Sequence, residues 1–258
     1  MANPGQGPGD ALNARDAVGS FDEYCRLFEK SAGRKALGEA STDTLFHFER
    51  SIPSIQRYLG DPRIIIILRD PVKRAYSAYN HLVRDGREEL PFKNALIAEE
   101  QRMRGGYVYM WQYQEGGLFA KQVRAFQKHF SRVQVLLYDD LKINAVELIR
   151  SVYTFLDVNP DLIPDMQLRH NVSGIPRWPI LYKLLFKHTH LQKSARSIGK
   201  AILGEDRWVS LRELLSSANL QELPPIDHEI EQQLRLFYRA DILKLQEYIG
   251  RDLSSWLD

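Results

Sequence analysis

The sequence contains a single cysteine, Cys25, among its 258 residues, so no disulfide can form within the chain. No apolar run approaches the roughly 20 residues that a membrane-spanning helix needs, and residues 1–16 lack the apolar core of a secretion signal. The net charge is also small, because 35 basic and 33 acidic residues leave only +2. This balance gives no indication of a nucleic-acid binder. These absences predict a globular cytoplasmic protein that holds together without disulfides.

Composition divides the chain into a short leader and one large domain. Residues 1–19 hold four of the 16 glycines and two of the 12 prolines, without hydrophobic periodicity, which predicts a flexible leader. A hydrophobic content of 44% over the whole chain fits one domain at residues 20–258. The last part of that domain, residues 177–258, is predicted to be mostly helical.

The rest of the chain is organised around residues 63–81. The five apolar residues Ile64–Leu68 predict a strand buried on both faces, as in a parallel sheet. Asp70 is a favoured N-cap and Pro71 a favoured first helical residue, so a helix is predicted over residues 72–83.

Arg69 therefore falls at the carboxyl end of a strand, where open α/β sheets bind ligands. Ser77 follows about two turns into the predicted helix. A guanidinium group and a hydroxyl group so placed can bind one phosphate, because the first offers a charged fork and the second a short neutral donor. An ordinary strand and helix, with Arg69 covering the strand end, is the alternative interpretation.

A second apolar run at residues 133–138 predicts another buried strand, and residues 145–156 predict the helix that returns over the sheet. Two strand-to-helix units in series favour an α/β fold, with a parallel sheet flanked by helices and right-handed crossovers.

The spacing of Arg69, Pro71 and Ser77 resembles the 3′-phosphate-binding motif of sulfotransferases that use 3′-phosphoadenosine 5′-phosphosulfate (PAPS). The run Arg74–Ser77 resembles the heparan-sulfate and bacterial branch of that family. The resemblance implies a P-loop-NTPase-like sulfotransferase fold, PAPS as donor, PAP as product and no metal. It also implies that Arg69 and Ser77 hold the 3′-phosphate.

Residues 35–42 predict a short strand and a turn at Gly38, followed by Glu39. The next helix is predicted to end near Pro53 or shortly after it. The stretch 35–42 resembles the family's G-E-x-S segment, and the resemblance implies that Glu39 is the general base. A carboxylate suits that role when burial and positioning raise its pKa. Ala40 stands where the glycan sulfotransferases have lysine. The alternative role of Glu39 is a favourable charge in the first turn of a helix.

Residues 170–179 resemble the family's loop that closes over the cofactor. That resemblance implies that His170 and Asn171 contact phosphate or adenine, and that Arg177 and Trp178 supply a charge and a stacking face. An irregular connector containing Gly174 is the alternative.

Two further segments bear on the sulfate acceptor. Residues 104–119 contain five aromatic residues and form either an acceptor site or a loop attached to the core by its aromatic side chains. Residues 177–207 carry seven basic and two acidic residues. The segment is either a solvated amphipathic surface or a surface that attracts an anionic acceptor, the nucleotide or a membrane. A glycan, a lipid-linked sugar and a small natural product all fit as acceptor.

Residues 1–62 contain no K/R-x-G-T-T run, the family's loop for the 5′-phosphosulfate. The first strand–loop–helix unit is therefore expected to be absent. The favoured explanation is that the sequence is a shortened version of an active enzyme. The alternatives are a family member that has lost sulfate transfer, and a unit supplied by another chain. A non-catalytic PAP-binding or scaffold protein is the rival function. A P-loop kinase is disfavoured, because the chain has no G-x-x-x-x-G-K-S/T run.

Overall fold

The structure is a computed structural model and describes residues 5–13, 18–164, 174–178, 204, 219–221 and 223–258. Its helices, in chain order, are α1 (Asp10–Asn13), α2 (Phe21–Arg26), α3 (Phe48–Leu59), α4 (Pro71–Arg84), α5 (Phe92–Arg104), α6 (Ala120–His129), α7 (Tyr138–Ile143), α8 (Ala145–Phe155) and α9 (His228–Ile249). Its strands are β1 (Ile64–Leu68), β2 (Val133–Leu137), β3 (Ile175–Pro176) and β4 (Leu220–Gln221).

Strands β1 and β2 form a parallel pair that runs in register from Ile64 opposite Val133 to Leu68 opposite Leu137. Each strand is followed directly by a helix, so the predicted parallel α/β arrangement flanked by helices is confirmed. Because both strands end at the same register, the residues that follow them emerge side by side at one edge of the sheet. Strands β3 and β4 form a separate, short antiparallel pair.

One face of β1 is open to solvent, contrary to the prediction of a strand buried on both faces. Ile66 and Leu68 point into the core, whereas Ile67 between them is 61% exposed. Successive side chains in a strand point to opposite faces. The strand therefore packs against a core on one face only. The described part of the chain adds no other strand to this sheet.

The start of α4 is fixed by the residues that the sequence singled out. The buried carboxylate of Asp70 accepts hydrogen bonds from the backbone N–H groups of Val72 (2.9 Å) and Lys73 (3.1 Å), and Pro71 occupies the first helical position. These contacts hold the turn between β1 and α4, and with it the position of Arg69.

Two local predictions were wrong. Residues 36–41 are irregular rather than a strand. Helix α3 does not end near Pro53 but continues to Leu59. Ile52 is buried in the core and Ile55 packs against it, so tertiary packing outweighs the backbone hydrogen bond that proline removes.

The core lies between the β1–β2 pair and helices α3, α4, α6 and α9, with helix α9 packed along α6 and α4. Its largest fully buried side chains are Trp111, Tyr113, Tyr238, Phe126, Leu68 and Leu82.

Residues 5–13, inside the predicted leader, pack against the segment around Trp111. The fully buried carboxylate of Asp10 forms an ion pair with Arg87, and it accepts hydrogen bonds from Trp111 Nε1 (2.9 Å) and the Val108 backbone N–H (3.1 Å). This part of the leader is therefore attached to the domain through a buried charge.

Among the described helices, none has the length and apolar character to cross a bilayer. The same residues contain no group of three or more His, Cys, Asp or Glu side chains arranged to hold a metal ion.

Candidate functional site

Arg69 and Tyr138 lie side by side at the carboxyl edge of the parallel strands. Arg69 follows β1 directly and Tyr138 follows β2, and the guanidinium carbon of Arg69 lies 5.3 Å from the centre of the Tyr138 ring. Arg69 Nε is buried and has no hydrogen-bond partner among the described residues. A guanidinium group stacked on one face, with a free buried N–H group, fits an anionic ligand such as a phosphate.

A second cation lies over the same ring. Lys142 Nζ is 5.0 Å from the centre of the Tyr138 ring and 3.1 Å from the carboxylate of Asp139. Both groups belong to α7, the helix that starts where β2 ends. Because Lys142 is paired with Asp139, Arg69 is the cation on this ring without an ion-pair partner among the described residues.

Helix α7 is tied to the C-terminal segment by a forked ion pair. The two Nη atoms of Arg251 donate to the two carboxylate oxygens of Asp140 at 3.1 and 2.9 Å. These hydrogen bonds hold the pKa of the Asp140 carboxyl below its ordinary value. The pair neutralises Asp140 and fixes the helix that carries Tyr138 and Lys142.

Ser77 lies half-buried on α4, and its hydroxyl has no hydrogen bond to another described residue. Strand β3 packs against the same helix, and Arg177 follows that strand. The structure therefore brings Arg69, Ser77 and Arg177 to one helix and its N-terminal turn.

Asn219 positions the segment of Arg177 and Trp178. Its side chain is buried, accepts a hydrogen bond from the Trp178 backbone N–H (2.9 Å) and donates one to the Trp178 backbone carbonyl (3.2 Å). The backbone carbonyl of Asn219 accepts a hydrogen bond from the Arg177 backbone N–H (2.7 Å). The Arg177 side chain and the Trp178 ring are left exposed. The segment thus presents a charge and a ring face that are accessible to solvent. His170, Asn171 and most of the basic segment 177–207 lie outside the described residues.

No contact among the described residues joins Glu39 to the phosphate-binding candidates Arg69 and Ser77. Its carboxylate is exposed, and its one hydrogen-bond partner there is the Ser41 hydroxyl at 3.5 Å. It also lies near Tyr24, where burial first and the Glu39 charge second raise the pKa of the phenol. The sequence argument for a general base required burial, which the structure does not provide at this position.

The aromatic segment 104–119 is largely part of the core. Trp111 and Tyr113 are buried, and the Tyr113 hydroxyl donates to Glu88 at 2.8 Å. Burial, then the hydrogen bond to Glu88, raises the pKa of Tyr113. These two rings therefore attach the segment to the core, which is one of the two interpretations that the sequence left open.

Two carboxylates, the buried one of Glu99 and the half-buried one of Asp241, hold the glycine-rich end of that segment. Glu99 accepts hydrogen bonds from the backbone N–H groups of Gln114 (2.8 Å) and Glu115 (3.0 Å), and Asp241 accepts from those of Phe119 (2.7 Å) and Ala120 (3.1 Å). Burial raises the pKa of both carboxyls, and these hydrogen bonds partly oppose it. The carboxylate of Asp241, which belongs to the distant helix α9, therefore caps the N-terminus of α6.

Sequence reasoning missed Tyr138, Lys142 and Asn219. Tyr138 was interpreted as the last residue of the second strand, and only the register of β1 against β2 places it beside Arg69. Asn219 approaches Trp178 from 41 residues away. No local pattern signals such a contact.

Comparison with known proteins places the chain among sulfotransferases. A profile of the family described as "Sulfotransferase family" matches residues 12–161, which include Glu39, Arg69 and Ser77. The crystal structure of a sulfotransferase from Alicyclobacillus acidocaldarius superposes with a TM-score of 0.72 at 30% sequence identity, covering 98% of this chain and 80% of that one.

Curated relatives are more distant in sequence. The mouse heparan sulfate glucosamine 3-O-sulfotransferase 3B1 is 26% identical over 197 residues, and its human counterpart is 27% identical over 198 residues. Each alignment covers 75% of this chain and 43% of the relative, so the chain spans less than half the length of these proteins.

Proposed function

Because the chain belongs to the sulfotransferase family, we propose that it moves the sulfuryl group of PAPS to a hydroxyl or amine of a glycan, lipid-linked sugar or small natural product. The observation that carries this proposal is the position of Arg69. It lies at the carboxyl end of β1, above the Tyr138 ring, with a buried Nε that has no partner among the described residues. The proposal requires no metal ion.

In this proposal Arg69 and Ser77 bind the 3′-phosphate, and His170, Asn171 and Arg177 belong to the segment that closes over the nucleotide. The acceptor oxygen or nitrogen forms a bond to sulfur, and the bond from sulfur to the bridging oxygen breaks to leave PAP. Glu39 takes the acceptor's proton. Support for Glu39 comes from the family segment in which it stands, and the substitution described in the Discussion tests it.

Binding of PAP or PAPS without transfer is the second candidate function. Two observations favour it: the exposed position of Glu39 and the lack of a K/R-x-G-T-T run in residues 1–62. Arg69 and Ser77 have the same role in both candidates. Sulfate transfer to any acceptor by the purified chain would decide for the enzyme.

Calorimetry with PAP tests the phosphate site on the full chain. Arg69→Ala should weaken PAP binding by tenfold or more, since a charge-assisted contact to phosphate contributes roughly 1.5–3 kcal/mol. Ser77→Ala should have a smaller effect, because a hydroxyl offers one neutral hydrogen bond.

Arg57→Ala is the matched control. Arg57 also lies over a tyrosine ring, 5.3 Å from the centre of Tyr58, but on the exposed end of α3. It should leave PAP affinity unchanged. A folded wild-type chain that does not bind PAP contradicts both candidate functions.

A further inference from the structure

A cleft of about 450 Å³ opens between the start of α3, the 3₁₀ turn Glu115–Gly117 and the start of α6. That volume lies within the range of about 300–1,000 Å³ of small-molecule sites. One ring connects the cleft to helix α4: Phe46 on the cleft wall lies 4.9 Å from the centre of the Tyr109 ring, and the guanidinium group of Arg74 lies 5.5 Å from the same ring. Ser77 is on that helix as well.

Gln122 lines the cleft although it is only 5% exposed. Its amide makes no hydrogen bond to the residues that the structure describes. A primary amide has two N–H donors and a carbonyl acceptor, and those of Gln122 are not fully buried, so a ligand in the cleft can reach them. A ligand whose groups both donate and accept hydrogen bonds, as sugar hydroxyls do, satisfies both sides of this amide.

The charged residues around the cleft disfavour an anionic ligand. Three carboxylates line it, those of Glu49, Glu115 and Asp241, against the cations of Arg50 and Lys121. Lys121 is paired with Glu49 at 3.1 Å. Glu115 and Arg50 have no ion-pair partner among the described residues, and with three carboxylates against two cations the lining keeps one excess negative charge, which repels an anionic ligand.

Two rings and one aliphatic side chain form part of the cleft wall. Phe46 and His47 pack edge to face with their centres 5.0 Å apart, and Leu118 lies on the wall beside them. A small apolar and aromatic surface with a few hydrogen-bonding groups is the usual composition of a small-molecule site.

We propose that this cleft binds the ring of the acceptor, and that the acceptor is a neutral sugar rather than an acidic one. The identification of the ligand as an acceptor rests on the proposed function. The binding itself does not, because it needs neither the donor nor a transfer step. Gln122 contributes an amide without a hydrogen-bond partner among the described residues, Phe46 the apolar surface and Glu115 the discrimination against negative charge.

A matched pair of ligands tests the inference: methyl glucoside and methyl glucuronide differ at one position, where the second carries a carboxylate. Ligand-observed NMR titrations on the full chain should show binding of the glucoside, and roughly fivefold or greater weakening for the glucuronide. The neutral methyl glycosides of galactose and mannose extend the series. No binding of any neutral glycoside, or equal or tighter binding of the glucuronide, overturns the inference.

Two variants connect the binding to the cleft. Gln122→Leu should weaken glucoside binding by roughly three- to tenfold, the contribution of one or two hydrogen bonds. Glu115→Gln should narrow the difference between the two ligands, and it decides the question if Gln122→Leu fails to fold. Glu247→Gln, on an exposed part of α9 outside the cleft, should change neither affinity. Unchanged discrimination in Glu115→Gln contradicts the proposed location.

PAP binding measured on the same samples separates the two proposals. A chain that binds PAP but no neutral glycoside contradicts only the inference about the cleft. A chain that binds the glycoside but not PAP contradicts the proposed function and leaves a sugar site of another kind.

Discussion

Arg74 and Tyr238 donate hydrogen bonds to the same oxygen atom, the backbone carbonyl of Tyr113. Arg74 Nη1 reaches it from α4 at 3.1 Å, and the Tyr238 hydroxyl reaches it from α9 at 3.2 Å. The neighbouring glycines make this possible, since a Cβ atom at Gly117 would lie 2.8 Å from the Tyr238 hydroxyl oxygen. The helix of the phosphate-binding motif and the C-terminal helix are thereby joined through one irregular segment.

Tyr238→Phe should lower the free energy of unfolding by about 1–2 kcal/mol. The substitution removes a hydroxyl whose single proton is shared between the carbonyls of Tyr113 (3.2 Å) and Gln114 (3.0 Å), and it leaves these acceptors short of a donor. Chemical denaturation measures the difference. The matched control is Tyr153→Phe, because the half-buried Tyr153 has no hydroxyl hydrogen bond among the described residues and should change by less than about 0.5 kcal/mol. Equal losses in the two variants would count against the shared carbonyl as a stabilising contact.

Glu88 should make the protein more stable at neutral pH than in acid. Burial pushes the pKa of its carboxyl upward, but hydrogen bonds from Arg102 (2.5 and 2.9 Å), the Leu90 backbone N–H and the Tyr113 hydroxyl outweigh burial and leave the pKa below its ordinary value. A lowered carboxyl pKa stabilises the fold above the unfolded value of about 4.3, and that stabilisation is lost as the pH falls through the folded value.

The substitution Glu88→Gln should therefore cost more stability at about pH 7 than at about pH 3. Breaking a buried pair of this kind typically costs about 3–5 kcal/mol when the charge is fully formed. Denaturation at both pH values measures the two differences. Glu89→Gln, an exposed neighbour, should show no such dependence. A difference that stays constant between the two pH values contradicts the assignment.

Asp10→Asn should loosen the N-terminal segment from the domain. The variant leaves Arg87 without its carboxylate partner and weakens the hydrogen bond to Trp111 Nε1. We expect a loss of about 3 kcal/mol or more in the free energy of unfolding and a red shift of tryptophan fluorescence as water reaches Trp111. Asp22→Asn, at an exposed position, is the control. Unchanged fluorescence in Asp10→Asn would contradict the described packing.

Glu39→Gln should reduce sulfate transfer by about 10²–10⁴-fold if Glu39 is the general base. PAP affinity should remain within about twofold of wild type, because no described contact joins Glu39 to Arg69 or Ser77. Steady-state turnover with PAPS, together with PAP calorimetry, measures the two effects. Glu29→Gln, exposed in the preceding segment, should leave both quantities unchanged. Survival of turnover in Glu39→Gln assigns the base to another group.

Local signals in the sequence were sufficient for the central unit of the fold. An apolar run followed by Arg69, an N-cap at Asp70 and proline at position 71 correctly predicts β1 and the start of α4. Asp227 and Gly250 likewise bound α9, the first as a side-chain cap and the second in the left-handed conformation at φ 61°. Each of these features depends on residues within a few positions of one another.

The features that sequence reasoning missed depend on contacts between distant segments. Tyr138 reaches Arg69 only through strand register, and Asp10 reaches Trp111 across 101 residues. The continuation of α3 beyond Pro53 depends on burial of Ile52 and Ile55 against other helices. Pairings of this kind are set by tertiary packing, which outweighs local propensity and leaves no pattern in a single sequence.

The exposure of Ile67 bears on how the protein behaves at high concentration. An exposed apolar side chain in the middle of a short strand, with one strand edge unpaired among the described residues, favours association between chains at high concentration. Exchanging Ile67 for threonine keeps a β-branched side chain while making that surface polar. Because Ile67 points away from the core, its replacement is a direct route to more concentrated samples without disturbing the strand that carries Arg69.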